Sequence, residues 1–75
     1  MKITDVKEFG QAIRKRRKEL SYTQSFLAEF TGLSVSFISD LERGKSTAEL
    51  GKALYIANTL GLDVNLISRG SDDVN

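Results

Sequence analysis

Catalytic chemistry needs groups that this chain of 75 residues lacks. Histidine and cysteine are both absent, which removes the commonest general base and metal ligand and any thiol nucleophile, thiolate metal site or disulfide framework. There is no phosphate-cradling glycine loop, and Asp40 and Glu42, two residues apart, point to different sides of a helix. No enzyme, cofactor or metal centre is expected. What remains is recognition by charge and hydrogen bonding, for which two clusters are candidates. The run Arg14-Lys15-Arg16-Arg17-Lys18 could attract phosphate or be a solvated helix face. Ser34, Val35, Ser36, Ser39 and Asp40 fall together on the side of a short helix opposite Ile38 and Leu41.

The elements that must position these clusters follow from apolar spacing. Val6, Phe9, Ile13 and Leu20 make one stripe on a first helix from about Asp5 to Leu20, with Asp5 and Glu8 spaced as a capping box. Thr23 can cap a second helix from Gln24 to about Thr31, and Gly32 suits its C-terminal turn because it takes positive φ without a Cβ penalty. Ser34 caps a third helix, Val35 to about Arg43, ended by Gly44. Ser46 and Glu49 are spaced as a second capping box before Leu50, Ala53, Leu54, Ala57 and Leu60, the stripe of a fourth helix closed by Gly61. Gly51 inside that helix marks either a close backbone approach or a tolerated surface glycine.

After Gly61 the period changes. Leu62, Val64 and Leu66 alternate with Asp63 and Asn65, which predicts a strand over 62–67. A lone strand leaves its ladder groups unpaired, so it needs a partner outside this sequence, most simply the same strand of a second copy. Leu62, Val64 and Leu66 are therefore candidate dimer-interface residues. Residues 1–69 form one expected domain and 70–75 a polar, disordered tail, with no repeat or linker.

Eleven Lys and Arg against ten Asp and Glu leave a net charge of only +1, but residues 1–22 hold seven of the cations against three acids. A chain this short buries only about 60% of its unfolded surface, so association with a second copy would widen a thin stability margin. No apolar run approaches the roughly 20 residues of a membrane span, and a cytoplasmic location without membrane contact is expected. Two helices joined at Gly32, the second with short polar residues at its exposed start, fit a helix-turn-helix that enters the major groove of double-stranded DNA; an ordinary polar surface helix is the alternative.

The stretch Thr23-Gln24-x-x-Leu27-Ala28-x-x-x-Gly32-Leu33-Ser34, then Ile38 and Leu41-Glu42-Arg43-Gly44-Lys45, closely resembles the lambda-repressor-like (Cro/CI, Xre) helix-turn-helix family over about residues 9–61. The resemblance implies an all-α, four-helix DNA-binding domain. It implies phosphate contacts at Thr23, Gln24, Arg43 and Lys45, with Gln24 also bracing the start of the recognition helix. Base-facing positions would be Ser34, Val35, Ser36, Ser39 and Asp40, and Arg17 and Glu42 would form a structural ion pair joining helices one and three. The chain departs from the family where glutamines often open the recognition helix, having Val35 and Ser36, and where an acidic residue is common, having Phe26.

Four helices followed directly by a short strand are similar to the HipB-type antitoxins. In that group two copies pair their strands, repress their own operon and bind a kinase toxin. The resemblance thus implies a homodimeric repressor on a palindromic operator, with two recognition helices about 34 Å apart and a kinase-like toxin as partner. A protein-interaction module of the same fold, a stand-alone phage-type repressor and a restriction–modification controller are the alternatives.

Overall fold

The computed structural model describes residues 2–70, which form four helices: α1 Val6–Glu19, α2 Gln24–Thr31, α3 Val35–Glu42 and α4 Leu50–Thr59. Three of the four starts are capped by a side chain, as the spacing required. The Asp5 carboxylate accepts from the Glu8 amide at 2.7 Å, the Thr23 hydroxyl from Phe26 at 2.9 Å and the Ser34 hydroxyl from Phe37 at 2.9 Å. Such caps satisfy a helix-start amide that has no partner within the helix. The return half of the first capping box is displaced by one residue: the Glu8 carboxylate accepts from the amide and hydroxyl of Thr4.

The second capping box is not formed. Ser46 and Thr47 lie in a turn, and Glu49 is itself the residue before α4, with no side-chain cap. Glu49 instead pairs with Lys52 at 2.9 Å, one helical turn on. Because α4 starts later than that box implied, Leu50 occupies its exposed first turn, where it lines a shallow apolar groove with Ile3, Val6 and Ala53. Ile56, outside the expected stripe, is fully buried.

The core is Ile13, Leu27, Ala28, Ile38, Leu41, Ala53, Ile56, Ala57 and Leu60, with Phe9, Leu20, Tyr22, Leu33, Phe37, Ala48 and Leu62 packed against it. Burying each large aliphatic side chain stabilises the fold by about 1.5–3 kcal/mol. Every helix contributes to this core, and α3 packs against both α1 and α2.

Close backbone approach occurs at Gly10, not at Gly51. A Cβ on Gly10 would collide with the Leu41 carbonyl oxygen and stand 2.8 Å from that of Glu42, whereas Gly51 faces open space. The absence of a side chain on α1 is therefore what admits the C-terminal end of α3. Gly44 serves the same contact from the other side: its φ is +84°, and a Cβ there would lie 2.7 Å from the Lys7 Cα. Ser21 turns the chain out of α1 at φ +61°, a left-handed position held by a non-glycine residue.

The strand expected over 62–67 is not formed in the single chain. Residues 62–68 run without helix or strand, and no β-strand occurs among the described residues. One copy offers no edge with which this segment could form a ladder. Leu62 is half-buried against its own core, while Leu66 is 98% and Ile67 87% exposed and Val64 is also exposed. The expected tail, Gly70 apart, lies outside the described residues.

Candidate nucleic-acid interface

The expected reading face is built on α3 and held by one buried ionic network. Arg17 on α1 donates from Nε to Glu42 Oε2 at 2.6 Å and from Nη2 to Oε1 at 2.8 Å, a bidentate fork at the last residue of α3. Its third donor, Nη1, reaches the Tyr22 carbonyl at 2.8 Å. The Gln24 amide donates to Glu42 Oε1 at 3.0 Å. Side chains from α1 and α2 thus share the one carboxylate on α3, the α1–α2 turn is tied in through Arg17, and Gln24 braces the end of α3 instead of its start.

Burial pushes the Glu42 carboxyl up, but hydrogen bonds from Arg17 and Gln24 and the charges of Arg17 and Arg14 outweigh it and hold the group below its ordinary range. The same hydrogen bonding to Glu42 raises Arg17 further above its already high value. Both side chains are ionised wherever the protein is folded near neutral pH, and a charge-assisted fork is among the more rigid couplings available to side chains.

The basic run on α1 divides by role. Arg17 is buried in the network. Arg16 donates from Nε to the Leu60 carbonyl at 2.8 Å, tying α1 to the end of α4, and also meets Glu19 at 3.4 Å. Arg14, Lys15 and Lys18 remain exposed. Arg17 was reachable through the family pattern, but Arg16 was not, because its partner lies 44 residues away.

On α3, Ser34, Val35 and Ser36 are exposed at the N-terminal end, with Ser39 and Asp40 half-buried one turn on. The Ser34 hydroxyl accepts the Phe37 amide and keeps its own proton to donate, as does Thr23 at the start of α2. Arg43 and Lys45 follow α3 and are exposed, but neither is without a partner. Arg43 Nη2 donates to Asp40 Oδ1 at 2.7 Å, Lys45 Nζ to Asp40 Oδ2 at 3.3 Å, and Arg43 Nη1 to the Ser39 hydroxyl. The i, i+3 spacing of Asp40 and Arg43 was the available signal for this cluster. Phe26 contributes no charge to the start of α2: it is exposed, 4.9 Å from the ring of half-buried Tyr22 and 6.1 Å from that of exposed Phe30.

The face can therefore present hydroxyl donors and acceptors and one aliphatic side chain to base edges, with two cations alongside for phosphates. Among the described residues no group of acidic side chains is placed to hold a metal ion, and no helix is long and apolar enough to cross a membrane.

Known proteins resemble this chain in sequence and fold. The family model for HTH_3, helix-turn-helix, matches residues 13–67. The HTH-type transcriptional regulator y4mF of Sinorhizobium fredii is 40% identical over 84% of this chain and 83% of its own length. The immunity repressor protein of Bacillus phage phi105 is also 40% identical, over 77% of this chain but only 40% of its own length. Among solved structures, the HipB chain of the HipB-O4 20mer complex superposes with a TM-score of 0.83 at 26% identity, covering 92% of this chain and 97% of that one. The HipB chain of a HipA-HipB-O2-O3 complex matches equally well, with a TM-score of 0.83. With four helices, a braced α3 and these relatives, the chain belongs to the helix-turn-helix family HTH_3, of the Xre or lambda-repressor-like type, and is a DNA-binding transcriptional regulator of HipB-like fold.

Proposed function

We propose that the chain is a sequence-specific transcriptional repressor that binds a palindromic operator as a homodimer, and that it is the antitoxin of a toxin–antitoxin pair with a kinase-like toxin. The observation that carries this is the α3 face, short polar residues at its exposed start and Arg43 and Lys45 at its exit, fixed by the Arg17–Glu42–Gln24 network. A groove reader must hold its helix rigidly, because small misplacements lose base contacts. Ser34, Val35, Ser36, Ser39 and Asp40 face base edges, while Thr23, Gln24, Arg43 and Lys45 serve the sugar–phosphate backbone.

The toxin assignment draws on HipB, which is solved in complexes named for an O4 20mer and for HipA with O2 and O3. The dimer draws on the unpaired, apolar segment Val64–Ile67, whose exposed side chains gain most from meeting a second copy. The protein would act in the cytoplasm and carry no catalytic activity. Gel shifts at rising salt test the repressor function: a palindrome from its own promoter region should outcompete random DNA, and equal affinity for both would end the proposal.

The exposed Phe26 and Phe30 rings, continued by half-buried Tyr22, favour a second function, a protein-interaction module. Co-purification with the product of the adjoining gene, surviving substitution of Ser36 and Gln24, would support it.

A further inference from the structure

Both oxygens of the Asp40 carboxylate are committed in the free chain. One accepts from Arg43 at 2.7 Å and the other from Lys45 at 3.3 Å, and Arg43 is held a second time by the Ser39 hydroxyl. The side chains of Arg43 and Lys45 are 69% and 57% exposed and that of Asp40 is 27% exposed, so these ties are surface ion pairs, weak and readily exchanged. They contrast with the Arg17–Glu42 fork, whose two side chains are buried.

We infer that Asp40 is a specificity latch: it withholds Arg43 and Lys45 from DNA phosphates until its carboxylate is taken over by the exocyclic amino group of a base, cytosine N4. This inference rests on the DNA-binding function proposed above. A phosphate is a natural competitor for both cations, but their departure strands a carboxylate beside a polyanion and facing base edges. That state is unfavourable unless a donor replaces them. The donors offered in the major groove are the amino groups of cytosine and adenine, and the pairing open to an acidic side chain is acceptance from cytosine N4. Where such a base faces Asp40 the latch opens, two phosphate contacts form, and the Ser39 hydroxyl is released for its own contact. Elsewhere the latch stays closed and non-specific binding proceeds without these cations. Base readout and phosphate neutralisation are thereby coupled, whereas simple repulsion by Asp40 would weaken binding to all sequences alike.

The test compares the wild-type chain with Asp40→Asn and Asp40→Ala, both changes at the surface. Binding sites are selected from a random duplex library, and affinities for the selected and random duplexes are followed with salt. The wild type should select a cytosine at one position per half-site. Its log–log salt dependence should be steeper on the selected duplex than on random DNA by roughly one to two units, about 0.9 per phosphate engaged. Asp40→Ala should lose that cytosine, whereas Asp40→Asn keeps an oxygen that can accept from N4. Both variants, lacking the charge that holds the cations, should bind random DNA about threefold tighter or more and show equal slopes on the two duplexes. Retention of the cytosine by Asp40→Ala, or random-DNA affinity unchanged or reduced in either variant, would overturn the latch. If the wild type selects no sequence at all, the repressor function fails along with the base exchange. If it selects a site and Asp40→Ala selects the same one, the latch alone fails.

Discussion

Arg17 and Glu42 lie 25 residues apart in sequence and meet in a two-bond fork of 2.6 and 2.8 Å, with side chains only 8% and 2% exposed. The Tyr22 carbonyl and the Gln24 amide complete the set. Two buried charges gain little net stability over apolar replacements, but removing one leaves the other uncompensated. The value of the pair is positional: it clamps the end of α3 to α1 and the start of α2.

Replacing Arg17 with Met should therefore destabilise the chain by about 3–5 kcal/mol, read from denaturant unfolding. The pH dependence follows from Glu42, whose carboxyl is held below its ordinary value of 4.5. A group with a depressed folded-state pKa contributes fully above its unfolded value and loses that contribution as pH falls through the folded one. Wild-type stability should fall in acid over that window, and Glu42→Gln, though less stable at neutral pH, should show a shallower acid decline. An identical decline in both would assign acid sensitivity to other carboxylates.

Gly10 and Gly51 should respond oppositely to the same substitution. Gly10→Ala forces a methyl group into the Leu41 and Glu42 carbonyls and should destabilise by about 1–3 kcal/mol. Gly51→Ala adds a methyl in open space within a helix and should stabilise by about 0.5–1 kcal/mol. Thermal melts of the two variants decide the matter, and a Gly10→Ala variant as stable as the wild type would show that α1 and α3 can separate freely.

Association should depend on the segment after α4. Val64→Asp and Leu66→Asp alter side chains exposed in the single chain, so each should leave helical content unchanged. Each should nevertheless shift sedimentation toward monomer and weaken operator binding with it. An unchanged dimer in both variants would exclude pairing through this segment.

Phosphate contact by Lys45 carries a separate signature. Lys45→Gln should lower operator affinity and reduce the salt slope by about 1 unit. Ser36→Ala should instead change which bases are preferred and leave the slope as it was. A Lys45→Gln slope equal to that of the wild type would remove this residue from the interface.

Much of the local structure was legible in the chain itself. Thr23, Ser34 and Gly32 determined where α2 and α3 begin and where the turn falls, because caps and positive-φ turns depend on a residue and its neighbours within four positions. Ser46 misled for the same reason: its spacing to Glu49 suits a cap, but the chain leaving Gly44 turns first and α4 starts at Leu50.

By itself the sequence determined four helices and placed Ser34, Val35, Ser36, Ser39 and Asp40 on one side of the third, and its resemblance to a known family implied the Arg17–Glu42 pair. Only the tertiary structure decided which charges remain available. It took Arg16 to the Leu60 carbonyl and set Gln24 on Glu42. It also moved the site of close approach from Gly51 to Gly10. The physical reason is common to all of these: periodicity reports which side of a helix a residue occupies, whereas a hydrogen bond or a backbone contact depends on what another element brings to that side. Residues 62–67 carry the same lesson one level up, since their alternation becomes a strand only if a second backbone supplies the other half of the ladder.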